Sequence, residues 1–167
     1  MKHRNLALFA LFFAMLNFGS AAQLEVGATA PTLTATTDTG ASIDLAEVYA
    51  GHAYTLVYFY PKADTPGCTK QGCSLRDSYE DLTAQGVAVI GVSYDTVENQ
   101  SAFKDKYQLP FTLIADTDKS VAKAFGSNGM MMASRSAFLV HEGKVVYADH
   151  KGSTTEQAND ILGFLAK

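Results

Sequence analysis

The chain has two cysteines, four prolines and no tryptophan, and its lysines and arginines gather into no basic block. Two cysteines are too few for the disulfide framework of a small secreted scaffold, which takes four or more. With no histidine near them they supply only two of the four ligands that structural zinc takes in paired spacing. With a net charge of -4 and no basic stripe, nucleic acid and anionic membrane are disfavoured as partners. No internal repeat and no low-complexity linker divides the chain. Beyond the N-terminus there is no long apolar run.

What the N-terminus does have is the pattern of a leader. Lys2 and Arg4 precede the apolar run LALFALFFAML and then NFGSAAQ. A basic start, a short apolar run and small residues at Ser20 and Ala22 predict a secretory signal peptide cut after Ala22. The run is short for a membrane span, and no cysteine lies at the cut to carry a lipid. The expectation is an exported, periplasmic protein without a membrane anchor after cleavage, residues 1–22 being signal and 23–167 one domain of ordinary size. Export matters for the thiols, because an oxidising compartment permits disulfides.

Gly27 to Gly40 is rich in Thr, Ala and Gly, which predicts a leading irregular segment or short hairpin. Tyr54 to Tyr60 (YTLVYFY) and Val87 to Tyr94 (VAVIGVSY) are continuous apolar runs of the kind a strand buried on both faces carries. Between them, Thr65 to Leu82 has helical spacing with Leu75, Tyr79 and Leu82 on one face. Thr96 opens a polar helix over Val97 to Tyr107, Phe111 to Ala115 is a strand, and Lys119 to Phe125 is a short helix closed by Gly126. Strands over Arg135 to Val140 and Lys144 to Ala148 meet at Glu142-Gly143, a hairpin signal. A last helix spans Thr154 to Ala166, with Ser153 and Glu156 at capping-box spacing. The order β-α-β-α-β-α-β-β-α predicts an α/β fold: a mostly parallel sheet with an antiparallel edge and helices on both faces.

Both thiols fall in YPKADTPGCTKQGCSLRD, where a strand gives way to a helix. Thr65 is a plausible N-cap and Pro66 suits the first helical position, since its missing N–H has no partner there. Cys68 then sits in the first turn, beside free N–H groups and the positive end of the helix dipole, with Lys62 and Lys70 near in sequence. That setting favours a thiolate, hence a nucleophile at neutral pH. Cys73 follows five residues later. Five helical residues rise about 7.5 Å and turn about 140° on a 2.3 Å radius, which separates the Cα atoms by roughly 8.7 Å. A disulfide needs less than about 7 Å. If one helix carries both thiols, they bond only when it unwinds, which favours a catalytic pair over a structural staple.

Pro61, Thr65 and Cys68 in YPKADTPGCT match the Pro-x-x-x-Thr-x-x-Cys signature of peroxiredoxins, and GCTKQGCSLRDSY resembles the peroxiredoxin Q, or bacterioferritin comigratory protein, branch. The resemblance runs on through VAVIGVSYD, FKDKYQLPFTLIAD and SRSAFLV, most of the chain after the leader. It implies a thioredoxin-like fold with a central mixed sheet, helices on both faces and an N-terminal extension. It also implies peroxide reduction by cysteine without metal, haem or flavin. Cys68 would be the peroxidatic thiolate, oxidised to a sulfenic acid. Cys73 would be the resolving thiol, closing an intramolecular disulfide that a thioredoxin-like dithiol resets. Thr65 would hydrogen-bond the thiolate and the peroxide, Pro61 would shield the sulfenic acid, and Arg135, in RSAFLV, would stabilise the thiolate and the charge developing on peroxide oxygen. A resolving thiol in the same chain permits a monomer or weak dimer. Ala137 and Gly72 depart from the family's usual Ser or Thr and Ala; Gly72 weakens a helix by about 0.5 to 1 kcal/mol relative to Ala, which either eases unwinding or is simply tolerated.

Other readings carry less. A glutathione-peroxidase-type enzyme of the same fold would use a tryptophan, and a thioredoxin-type oxidoreductase a Cys-x-x-Cys; neither is present. An exported module whose Cys68–Cys73 disulfide serves thiol exchange or structure would leave the match at Pro61, Thr65 and Arg135 unexplained. Met130 to Met132 is expected to be a loop covering an apolar mouth rather than a soft copper site. Asp116, Asp118 and Ser120 imitate a calcium loop, but Val121 stands where glycine belongs and Ser127 where the closing glutamate belongs.

Overall fold

The computed structural model describes residues 22–167, so the predicted signal peptide, apart from Ala22, lies outside the described residues. The chain enters through a hairpin of β1 (Thr34–Thr36) and β2 (Ser42–Asp44), then a short helix α1 (Leu45–Gly51). The hairpin begins within the Gly27 to Gly40 segment and runs past it, and α1 has no counterpart among the expected elements. Yet α1 has a local signal: Asp44 accepts a hydrogen bond from the Ala46 N–H at 2.8 Å, and Glu47 lies three residues on in the first turn.

The main sheet is built from β3 (Tyr54–Phe59), β4 (Val87–Ser93), β5 (Thr112–Ala115), β6 (Ser136–His141) and β7 (Lys144–Asp149), in the order β5-β4-β3-β6-β7. β3, β4 and β5 run parallel; β6 pairs antiparallel with both β3 and β7. The sheet is therefore mixed in equal parts, not mostly parallel with an antiparallel margin, because the hairpin inserts its first strand beside the central β3. Its turn is the predicted one, with Glu142 and Gly143 at φ of 49° and 71°.

Alternation along β3 divides the core. Leu56, Tyr58 and Tyr60 face one layer with Leu75, Leu82, Phe103 and Ile161; Val57 and Phe59 face another with Leu45, Val121 and Phe125. The first layer is covered by α2 (Pro66–Asp77), α3 (Tyr79–Ala84), α4 (Val97–Tyr107) and α6 (Gln157–Leu165), the second by α1 and α5 (Ser120–Ala124). The helix expected over Thr65 to Leu82 is two helices broken at Ser78, whose φ of -109° and ψ of 17° leave the helical region. Leu75 and Leu82 are fully buried on either side of the break, so the apolar spacing carries across it unmarked. The last helix starts at Gln157, three residues later than its capping-box spacing predicts, although the Ser153 hydroxyl does accept from the Glu156 N–H.

Candidate active site

β3 ends at Phe59, opposite Ser136 of β6, and this register decides what meets at the sheet's end. From Phe59 the chain passes through Tyr60 and Pro61 into the turn that starts α2; Arg135 sits one residue before β6, at the same end. Cys68 lies in the first turn of α2 with 1% of its surface exposed, and the Arg135 Nη2 donates to its sulfur at 3.3 Å. The fold thus brings together two residues that lie 67 positions apart.

The guanidinium is itself held. Its Nη1 donates to Gln71 Oε1, one helical turn beyond Cys68, and Gln71 Nε2 donates to Gln157 Oε1 at 3.0 Å. Both glutamines are fully buried. Two glycines leave the arginine its room: a Cβ on Gly67 would lie 3.2 Å from Arg135 Nη2, and one on Gly152 would lie 2.4 Å from Arg135 Cγ. Sequence reasoning found none of these four residues, since each contributes by touching Arg135 or its partner across the fold, and no local pattern announces that.

Thr65 is the N-cap of α2, in extended conformation and followed by Pro66, as predicted. Its hydroxyl makes a different bond from the one foreseen: Oγ1 donates to the Lys62 carbonyl at 2.9 Å and makes no cap bond. Pro61 lines a surface pocket of about 290 Å³ with Tyr94, Met131 and Met132. Met131 and Met132 line it at 84% and 47% exposure, while Met130, at 92%, lies outside its lining. A larger pocket of about 410 Å³, between Val87 and Phe111 near Lys104, contains none of the predicted site residues.

The turn from Tyr60 to Thr65 is pinned from below. Buried Tyr60 donates its hydroxyl to Gln100 Oε1, Gln100 Nε2 donates to Ser93 Oγ and the Ile114 carbonyl, and Ser93 Oγ donates to Asp95. Asp95 also accepts the Ala63 N–H at 2.8 Å. Burial pushes the Tyr60 phenol well above its usual range, so it stays a donor. On the outer side Asp64 accepts from Lys106 Nζ and from the Tyr107 hydroxyl at 2.6 Å, which holds its carboxyl below the usual carboxylate range.

Cys73 is a free, half-buried thiol on the same continuous helix as Cys68. The assumption behind the 8.7 Å estimate therefore holds: α2 as folded keeps the roughly 7 Å disulfide limit out of reach. Among the described residues no group of three or more His, Cys, Asp or Glu could hold a metal ion.

A family model described as AhpC/TSA matches residues 26–148. The chain is 45% identical over 103 residues to a putative peroxiredoxin bcp of Coxiella burnetii, covering 62% of this chain and 67% of that one. It is 38% identical over 148 residues to peroxiredoxin Bcp of Bacillus subtilis, covering 83% and 93%. Among solved structures, Xanthomonas campestris peroxiredoxin Q superposes with a TM-score of 0.75 at 32% identity, covering 87% of this chain and 96% of the other. The fold is the thioredoxin-like one, and since the family match spans both cysteines, Thr65 and Arg135, the chain belongs to the AhpC/TSA family, where its relatives are the peroxiredoxin Q and Bcp proteins.

Proposed function

We propose that this protein is a thiol peroxidase in which Cys68 attacks peroxide and Cys73 resolves the product. The observation that carries the proposal is the hydrogen bond from Arg135 Nη2 to a buried Cys68 sulfur in the first turn of a helix. A guanidinium and free helix N–H groups balance the negative charge of a thiolate there, and the same cation can follow that charge as it moves onto peroxide oxygen. The Cys68 thiolate takes one oxygen from the hydroperoxide, becomes a sulfenic acid and releases an alkoxide, or hydroxide, that protonates. Cys73 then attacks the sulfenic sulfur, water leaves, and a disulfide closes across an unwound α2. A dithiol protein of the thioredoxin type returns both thiols by exchange. The Thr65 hydroxyl can rotate from the Lys62 carbonyl towards the peroxide, and Pro61 forms one wall of the approach. Export, inferred from the leader, would require a reductant outside the cytosol.

Adding one equivalent of hydrogen peroxide to the reduced protein should remove both thiols rapidly as an intramolecular disulfide. Cys68→Ser should abolish the reaction. Cys73→Ser should leave a sulfenic acid at Cys68 that dimedone traps. Thiol loss no faster than for free cysteine, or no dimedone adduct in Cys73→Ser, would overturn the respective role.

A further inference from the structure

We infer that the first turn of α6 is a latch on α2, with Gln157 and Ser74 deciding how readily Cys73 leaves the helix to resolve Cys68; this rests on the peroxidase reading above. Gln157 is fully buried and uses one end of its amide: Oε1 accepts from Gln71, while Nε2 has no partner among the described residues. A buried amide with an orphaned N–H₂ destabilises the folded state unless the other end does something an apolar side chain could not. Here it fixes the sense of the Gln71 amide. With Gln71 Nε2 committed to Gln157, Gln71 Oε1 must face the guanidinium, and it accepts from Arg135 Nη1. Were the amide reversed, its N–H₂ would confront the arginine donors. Gln157 is thus a positioning residue for Arg135, acting through Gln71.

The same turn ties α2 a second time, where the Ala158 N–H donates to Ser74 Oγ at 3.3 Å. Gln71 and Ser74 flank Cys73. While both ties hold, the helical turn that contains Cys73 cannot open, and the geometry of one continuous helix forbids the disulfide. Closing the disulfide must therefore release Gln71 from both Gln157 and Arg135. A tight latch favours the first oxidation, because Arg135 stays on Cys68. It also leaves the sulfenic acid waiting longer for Cys73, and so exposed to a second peroxide that carries it to sulfinic acid.

Replacing Gln157 with Met removes the acceptor and should move the two steps in opposite directions, which a loss of stability alone does not do. Stopped-flow oxidation should show the first step slowed and disulfide formation accelerated about three- to tenfold, the factor expected for one lost hydrogen bond. The peroxide concentration that drives half of Cys68 to sulfinic acid should rise by the same factor. Gln157→Glu, which keeps an acceptor for Gln71, should restore the wild-type rates. Ser74→Ala leaves the Arg135 chain intact and should accelerate disulfide formation without slowing the first step; it tests the latch even if Gln157→Met does not fold. Folded variants whose disulfide rate and sulfinic threshold equal the wild type's would overturn the latch. A wild type that forms no disulfide with one equivalent of peroxide would instead overturn the peroxidase reading.

Discussion

Gly152 controls how far Arg135 can reach. It lies in the loop between β7 and α6 at φ of 60°, and a Cβ there would sit 2.4 Å from Arg135 Cγ and 3.0 Å from the Ser136 backbone nitrogen. The nitrogen cannot yield without disturbing β6, so the arginine must. Gly152→Ala should lower stability by about 1 to 3 kcal/mol, from left-handed strain and overpacking, and should slow the reaction of Cys68 with peroxide by about tenfold or more, as a displaced donor implies. A Cβ on Gly67 would approach Arg135 Nη2 only to 3.2 Å, so Gly67→Ala should cost less. Second-order rate constants beside thermal melts check both; a Gly152→Ala rate within twofold of wild type would show that the arginine position does not govern the reaction. At this scale the sequence was legible where chemistry is local. Pro61, Thr65, Cys68 and Cys73 lie within one short run, whereas Gln71 and Gln157 are 86 positions apart and matter only because their amides meet.

Among the elements, α2 holds both cysteines and the contacts around it set its stability. A Cβ on Gly72 would lie 3.5 Å from Leu109 and 3.7 Å from Phe103, ordinary packing distances, so Gly72→Ala fits without rearrangement. It should stabilise α2 by about 0.5 to 1 kcal/mol and slow disulfide formation correspondingly. A peroxide titration should then find Cys68 passing to sulfinic acid at lower concentration than in wild type; an unchanged threshold would mean that α2 unwinding does not limit resolution. The turn before α2 carries a pH dependence. Asp64 sits below its usual 3.8 because of Lys106 and then Tyr107, and Lys106 sits above its usual 10.5 chiefly because of Asp64. A depressed carboxyl contributes stability above its unfolded value that is lost as pH falls through its folded one. A raised lysine contributes below its unfolded value and loses this as pH rises through its folded one. The stability difference between wild type and Asp64→Asn should therefore be flat between about pH 4 and 10 and shrink on either side. Denaturant midpoints across pH check this, and high salt should reduce the difference, since the pair is exposed. The buried strands and α4 were readable because their signals are continuous runs and caps; the break at Ser78 was not, because the apolar stripe crosses it.

At the scale of the whole molecule, the sequence yielded layers and order but not the place of the hairpin, since no local pattern says which strand β6 pairs with. That placement matters, because β6 beside β3 is what brings Arg135 over Cys68. It would also set the resting fold against a Cys68–Cys73 disulfide, were the pair to close. An ordinary disulfide raises stability by restricting the unfolded chain, and closing so short a loop contributes about 2 kcal/mol by the loop-entropy estimate. Here closure gives up at least a turn of α2, the Arg135–Gln71 and Gln71–Gln157 bonds and the burial of Cys68. At about 1 kcal/mol net for each hydrogen bond lost, that totals about 5 kcal/mol. The second sum is larger, so the oxidised protein should be the less stable by about 3 kcal/mol, and calorimetry should find it melting roughly 5 to 10 °C below the reduced form. Amide exchange should be fastest in the oxidised form over 68–76 and at the start of α6, with the sheet still protected. If the oxidised protein melts higher, Cys68 and Cys73 fit their disulfide into the resting fold, and the pair is a staple rather than a reaction cycle.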